Sequence, residues 1–371
     1  MSKGIAILGA GTFARNGMLL LLIIEQSELT PSLVAEHLPA IKACPAFSLK
    51  AVYSRSKKSA DRLAKLAGDD VDIYFDTPLA PGSSLDDLLY RNDIHAVMIA
   101  LPTLVQPAVI KKAITAGTHV LSEKPISQDV SSAIDLLSWY TTTKKRKIWS
   151  VGENFRFMDS LNFGAARIKE LDGEVVTFSA RLYAFMDDQD EYYQSEWRKN
   201  ANHSGRILLD SGVHYVAAIR FLLAAAGQSI THLSAFAAQL QQHLAPLDTI
   251  HSTMQISNRN SGTFSLSFGV EFKTDFEFQV VTDKGAVTVG PNFVIVSRND
   301  KDGKKHEKRH AFKPFYSHAV RLEVAAFAKA MSTGRSDPRA APEEALKDLK
   351  VMQAMLDSAN GGGAVESVRY T

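Results

Sequence analysis

The chain has a single cysteine, Cys44, among 371 residues. That excludes an intrachain disulfide and a cysteine-rich metal site. Charge of one sign is also missing. The 42 lysines and arginines stand against 40 aspartates and glutamates, too even a balance to generate the field of a nucleic-acid or anionic-membrane binder. Long apolar runs are absent as well. The longest, Met18 to Ile24, has seven residues, whereas roughly 20 are needed to span a bilayer. The amino terminus enters a strand pattern (Ile5, Ile7, Leu8) that ends in glycines, unlike a cleaved signal, so the cytosol is the default expectation. With 45% apolar and 22% charged residues, the composition is that of an ordinary globular protein, and the length suggests two domains.

The first strand pattern leads into Gly9-Ala10-Gly11-Thr12-Phe13-Ala14, the G-x-G-x-x-A form of the dinucleotide fingerprint. The first glycine permits a tight turn and the second lets the backbone approach a pyrophosphate. The small third residue lets helix and strand pack closely. The second strand, Ser48 to Tyr53, ends at Ser54-Arg55-Ser56-Lys57. NAD binding calls for an acidic residue here, to hold the ribose 2′-hydroxyl. An arginine among hydroxyls instead suits a 2′-phosphate, so the cofactor expected is NADP rather than NAD. Arg55 lies 44 residues after Gly11, whereas the fingerprint expects roughly 20. The excess falls in Gly17 to Glu36. Removing it joins Ala14-Arg15-Asn16 to His37-Leu38-Pro39-Ala40-Ile41-Lys42, an ordinary first helix. The stretch is either a lengthened crossover or a gene-model error such as a retained intron, and the transcript sequence distinguishes the two.

Strands and helices continue to alternate. Ala96 to Leu101 is a continuous apolar run, as expected of a parallel strand covered on both faces. Leu101-Pro102-Thr103 closes it and starts a helix reaching Ala116-Gly117. The next strand, His119-Val120-Leu121, breaks into Ser122-Glu123-Lys124-Pro125. A lysine held between a carboxylate and a proline, just past a buried strand, is hard to justify as packing. In open α/β sheets ligands bind outside the carboxyl ends of the strands. The glycine turn, Leu101-Pro102 and Lys124 are therefore expected along one crevice. The basic run Lys144 to Lys147 reads as a solvated turn before the last strand, Ile148 to Val151.

Beyond Arg156 the pattern changes to alternating strands, with Phe264, Leu266, Phe268 and Val270 on one face. Similar runs at Thr249–Ile256, Phe276–Val281, Ala286–Val289 and Phe293–Val296 predict a mostly antiparallel sheet of five or more strands. Its second face is read as apolar enough to pair with another copy of the chain. The charged stretch Arg298 to His310 reads as a hairpin tip. Asp210 and His214 stand one turn apart in a helical pattern that runs through Leu223. A carboxylate beside an imidazole orients it and raises its basicity, which equips His214 for acid/base work near neutral pH. The same spacing suits two metal ligands, but no further ligand cluster accompanies it, so no metal is expected.

Together these residues resemble the Gfo/Idh/MocA family of NAD(P)-dependent oxidoreductases, and most of all an NADP-using branch of fungi and other eukaryotes. The motifs that carry the resemblance are Gly9–Ala14, Glu123-Lys124-Pro125, Gly152-Glu153-Asn154-Phe155-Arg156 and Leu208 to His214. The resemblance implies an α/β protein with an amino-terminal Rossmann domain, a doubly wound parallel sheet, over residues 1–153. An α+β domain with a large, mostly antiparallel open sheet follows over 154–371, used for substrate and for assembly as a homodimer or higher oligomer. It implies hydride transfer to or from a hydroxyl or carbonyl carbon, commonly of a sugar or polyol. Carried over by motif, Lys124, Asp210 and His214 form the catalytic set. Gly9, Gly11, Thr12, Phe13, Ala14, Ser54, Arg55, Leu101, Pro102, Glu123 and Lys124 line the cofactor. Asn154, Arg156, Trp197 and Arg198 lie near the substrate. The loop Leu101–Gln106 lacks the Asn and His that many members carry, and Ala217 stands where members often have an Asp. The alternative from another class is a non-catalytic NADP-binding sensor of the same fold.

Overall fold

A computed structural model describes residues 2–9, 36–68, 70–77, 81–143, 147–189, 206–312 and 316–370. They divide into two compact units. The first runs to Glu153 and resumes with Tyr316–Leu346, and the second takes Asn154–Phe315 and Lys347–Thr371. The stretch from Ala10 to Ala35, with most of the suspected insert, lies outside the described residues.

The first unit is built on six strands: β1 (Lys3–Leu8), β2 (Phe47–Tyr53), β3 (Asp72–Tyr74), β4 (Ala96–Ile99), β5 (His119–Glu123) and β6 (Trp149–Gly152). They pair in the order β3-β2-β1-β4-β5-β6, with every neighbouring pair parallel. This is the doubly wound order, with the chain reversing direction across the sheet beside β1. Its central strands read as unbroken apolar runs because both faces are covered. Ile5 to Leu8 and Ala96 to Ile99 are all fully buried.

Helix Gln106–Ala116 packs on β4 and β5, and ends where Gly117 takes a left-handed conformation at φ +92°. The sheet's other face is closed by His37–Ala43, Lys57–Ala67 and Tyr316–Thr333. There Leu38, Ile41, Leu63, Val320, Val324 and Phe327 share one core with Ile5, Ile7, Phe47 and Met98. Helix His37–Ala43 begins just where removal of the suspected insert would resume the first helix. The chain passes from the first unit to the second between Glu153 and Asn154 and returns to the first at Tyr316. The physical reason is apolar demand, because the face over Phe47 is filled by Phe327, whose ring centroid lies 6.0 Å away.

The second unit holds β7 (Val175–Tyr183), β8 (Ile230–Ala238), β9 (Thr249–Ile256), β10 (Ser261–Ser267), β11 (Asp275–Thr282), β12 (Gly285–Val289), β13 (Phe293–Asn299), β14 (Lys305–Ala311) and β15 (Glu366–Ser367). They form one sheet in the order β14-β13-β12-β11-β7-β10-β9-β8-β15, antiparallel except where β10 meets β7. Helices Asp159–Leu171 and Arg206–Ala225 cover one face. At Gly164 any Cβ would lie 2.6 Å from a Val289 methyl, so glycine is what lets the first of these helices approach the sheet. Ile207–Ala225 is long and apolar enough to cross a bilayer, but 78% of its most apolar window is buried, and it packs on Asp159–Leu171, β7 and β11.

The second face of the sheet is mixed. Opposite the core stand Thr177, Ser179, Arg181, Thr253, Gln255, Ser265, Glu277 and Gln279, with Tyr183, Phe236, Val281 and Ile295 on the same side. Arg181 is ion-paired across strands to Asp275 (3.1 Å) and Glu277 (2.7 Å). The alternation that marked these strands reports which positions face the helices. The charged stretch Arg298 to His310 is the end of the β13–β14 hairpin, with its turn at about Asp300–Lys304 and His306 to His310 on the edge strand β14. Charges on an edge strand discourage pairing with another chain.

Phe327 ties the returning helix to the first unit, so Phe327→Ala is expected to destabilise that unit by about 3–5 kcal/mol. Denaturant unfolding followed by Trp149 fluorescence measures it, and a loss under 1 kcal/mol would contradict this packing.

Candidate active site

Parallel pairing puts the carboxyl ends of β2, β1, β4 and β5 side by side along one edge of the first sheet. Ser54, Gly9, Leu101 and Lys124 follow those ends. Gly9 has φ +116°, and a Cβ there would sit 2.1 Å from the Ala100 carbonyl oxygen, so no other residue fits the junction. Its N–H donates to the Tyr53 carbonyl at 2.8 Å, and the Ala100 N–H donates to Leu8 at the same distance. Gly11, Thr12, Phe13 and Ala14 lie outside the described residues, as do Trp197 and Arg198.

At the end of β2, Ser54 donates its N–H to the Tyr74 carbonyl at 3.1 Å, and Arg55 is exposed. Ser56 caps helix Lys57–Ala67, its hydroxyl accepting from the Ser59 N–H. The Tyr53 hydroxyl donates to Asp76 at 2.5 Å. Burial, together with that carboxylate, pushes its pKa upward, so it stays protonated. After β4 the helix starts later than expected. Leu101 and Pro102 belong to a turn closed by the Val105 N–H on the Pro102 carbonyl (3.0 Å), and the helix begins at Gln106. Gln106 is buried, and its side-chain oxygen has no hydrogen-bond partner among the described residues. Sequence reading passed over it because a glutamine at a helix start is ordinary.

The end of β5 is held from beneath. Glu123 is buried, and one carboxylate oxygen meets His37 Nε2 while the other accepts the Lys124 backbone N–H at 3.2 Å. Glu123, expected as a cofactor contact, thus has a protein partner on each oxygen, one of them the lysine's own backbone. Lys124 itself is only 6% exposed and its bond to Pro125 is cis. The strand beneath is fixed by Trp149, whose indole N–H donates to the Ser122 hydroxyl at 3.0 Å. His37 escaped sequence reading because it stands 86 residues from its partner, with nothing local to link them.

In the second unit Asp210 and His214 share helix Arg206–Ala225, four residues apart, and are 8% and 7% exposed. Phe155 stacks on the His214 ring, with centroids 4.8 Å apart and planes at 13°. Phe155 in turn meets Tyr215 and Phe276 edge-on or tilted, so the imidazole lies against a rigid aromatic wall. Arg156, expected near substrate, is buried and ion-paired to Asp348, which also binds Arg220. Its charge is consumed in joining the start of the unit to helix Pro342–Asn360. Asn154 differs: it is 3% exposed, and neither amide atom has a hydrogen-bond partner among the described residues. Burying a bare amide is costly, so Asn154 calls for a polar partner beyond those that the described residues provide. Among the described residues no cluster of metal-ligating side chains exists.

The sequence matches an oxidoreductase family in two parts, its NAD-binding Rossmann fold over residues 3–152 and its C-terminal alpha/beta domain over residues 169–367. The chain belongs to the Gfo/Idh/MocA family. It is 41% identical over 368 residues to Dehydrogenase FPY6 of Fusarium mangiferae, covering 99% of each chain. The crystal structure of an oxidoreductase from Thermotoga maritima matches with a TM-score of 0.81, at 26% identity over 99% of both chains. A levoglucosan dehydrogenase solved with NADH and levoglucosan shares the fold at a TM-score of 0.79 and 15% identity, over 99% of this chain and 100% of that one.

This Gfo/Idh/MocA protein is thus an oxidoreductase built on an NAD-binding Rossmann domain. At the carboxyl edge of the first sheet Gly9 brings bare backbone, Arg55 is exposed, and the buried Gln106 acceptor has no partner among the described residues.

His37→Ala should cost about 2 kcal/mol in stability, since it strands a buried carboxylate oxygen. His37→Gln, which keeps a donor, should recover most of that in denaturant melts. Equal stability of wild type and His37→Ala would show that the pair holds nothing.

Proposed function

We propose that the protein is an NADP-dependent dehydrogenase or reductase of a small hydroxyl or carbonyl compound, a sugar or polyol foremost. The catalytic set is Lys124, Asp210 and His214. The observation that carries this reading is the burial of Lys124, 6% exposed, at the carboxyl edge of the Rossmann sheet, since lysine is almost never buried without a task. When bound, the dinucleotide supplies the hydride acceptor or donor, its nicotinamide C4.

The chain's own residues handle the proton and the charge. In the oxidation direction the His214 imidazole takes the proton of the substrate hydroxyl. The Lys124 ammonium donates a hydrogen bond to the same oxygen as negative charge grows on it. In reduction both steps reverse. Asp210, one helical turn before His214, orients the ring, and the stacked Phe155 holds its plane. The unpaired amide of Asn154 offers a donor and an acceptor to the substrate's other hydroxyls. Ser54, Arg55 and Lys57 favour NADP, because a guanidinium and hydroxyls at the start of a capped helix suit a phosphate, and no carboxylate stands where a ribose 2′-hydroxyl would need one.

Lys124→Ala and His214→Ala should each lower kcat by about 10²–10⁴-fold, followed by the near-ultraviolet absorbance of NADPH over a panel of aldoses, ketoses and simple ketones. NADPH binding, read by its fluorescence, should survive. Full turnover by Lys124→Ala would remove the lysine from the mechanism. Arg55→Ala should weaken NADPH by about tenfold, the size of one charge-assisted hydrogen bond, and spare NADH. An equal effect on both cofactors would refute the NADP assignment.

A further inference from the structure

The opposite edge of the first sheet, where the strands begin, carries a second concentration of polar groups. A recess of about 360 Å³ is walled by Lys3, His95, His119 and Lys147, by the turn from Leu89 to Asn92, and by Ala116 to Thr118. No carboxylate is among its lining residues. It lies at the amino ends of β1, β4 and β5, so it is separate from the cofactor edge.

Both histidines present a defined donor. His95 Nδ1 accepts the Gly4 N–H at 3.1 Å, and His119 Nδ1 accepts the Ile148 N–H at 2.9 Å. A ring nitrogen that accepts a backbone N–H carries no proton, so in the neutral ring the proton sits on Nε2. Each imidazole therefore offers an Nε2–H donor. Lys3 reaches the Met331 carbonyl at 3.4 Å and pairs with no carboxylate among the described residues. The Lys147 stem passes over Gly117, its Cε 3.9 Å from where a Cβ would stand. Arg91, also in the lining, is already paired with two carboxylates, Asp93 at 2.8 Å and Asp72 at 2.5 Å. The field of these charges is visible at His119. Its pKa is pushed down to about 4, first by burial and then by Lys147, Lys3 and His95.

From this arrangement we propose that the recess is a binding site for a small phosphate-bearing molecule. Two lysines and two histidines with Nε2–H donors line the same recess, and a multiply charged oxyanion suits that set of cations and donors. The volume exceeds that of a lone oxyanion and matches the lower range of small-ligand pockets. Leu89 and Tyr90, the latter 77% exposed, offer an apolar wall for the organic part. The inference goes beyond the redox reading and does not need it.

The test is a nitrogen-correlated NMR titration of the full chain at neutral pH, observing the His95 and His119 rings. Inorganic phosphate and a hexose phosphate are added separately, each against chloride at matched ionic strength, with and without saturating NADPH. Saturable shifts at both rings with phosphate, unchanged by NADPH and absent with chloride, are expected. Tighter binding of the hexose phosphate would identify an organic ligand, and equal binding would identify free phosphate. Bound phosphate should raise the His119 pKa from about 4 to about 5–7. Lys3→Gln combined with Lys147→Gln should weaken the titration by about tenfold or more. His119→Gln, which keeps a donor, provides a second variant that leaves the lysines intact, and it should retain most of the affinity. Shifts that chloride reproduces, that never saturate, or that persist in the double lysine variant would overturn the proposal. Because the readout is independent of turnover, an inactive enzyme that still binds phosphate would count against the redox reading alone.

Discussion

One buried carboxylate holds the nucleotide-binding unit's chemistry in place. Glu123 ends a strand, receives His37 from the first described helix on one oxygen, and takes the Lys124 backbone N–H on the other. A buried carboxylate with partners on both oxygens is well satisfied, and losing either partner is costly. The lysine therefore cannot drift along the strand end without breaking a bond elsewhere. Positioning of this kind matters for a group that must meet a substrate oxygen within hydrogen-bond distance.

The second unit solves a similar problem by packing. His214 is held by a stacked phenylalanine and by its helix, and that helix sits on a sheet whose inner face is filled with Phe264, Leu266, Phe276 and Phe278. Charges inside the unit are paired within it, as in Asp348 between Arg156 and Arg220. Asn154 is the exception. Among the described residues its buried side-chain amide has no hydrogen-bond partner.

Much of this was legible in the residues. The apolar runs Ile5–Leu8 and Ala96–Ile99 announced a parallel sheet, and the alternation at Phe264–Phe268 announced one with a single buried face. Spacing put Asp210 and His214 on one helical turn, and the strand break at Ser122-Glu123-Lys124 marked the carboxyl end of β5. What escaped depended on contacts distant in sequence. The tasks of Glu123 and Arg156 are set by His37 and Asp348, 86 and 192 residues away, and no local pattern carries such a pairing. Strand β8 (Ile230–Ala238) escaped because its alanines and serine blur the alternation. The allegiance of Tyr316–Thr333 escaped because an amphipathic helix does not say which core it fills.

That last helix has a consequence for how the chain is made. The nucleotide-binding sheet is complete in its strands by Gly152, yet the face over Phe47 gains its cover only when Val320, Val324 and Phe327 arrive. At translation rates of about 5–20 residues per second, the intervening chain takes on the order of ten to thirty seconds to emerge. Throughout that interval an apolar surface stands open on the ribosome while the other unit is still being synthesised. The first unit to be started is therefore among the last to be finished, and its maturation waits on a chaperone or on the completion of its neighbour.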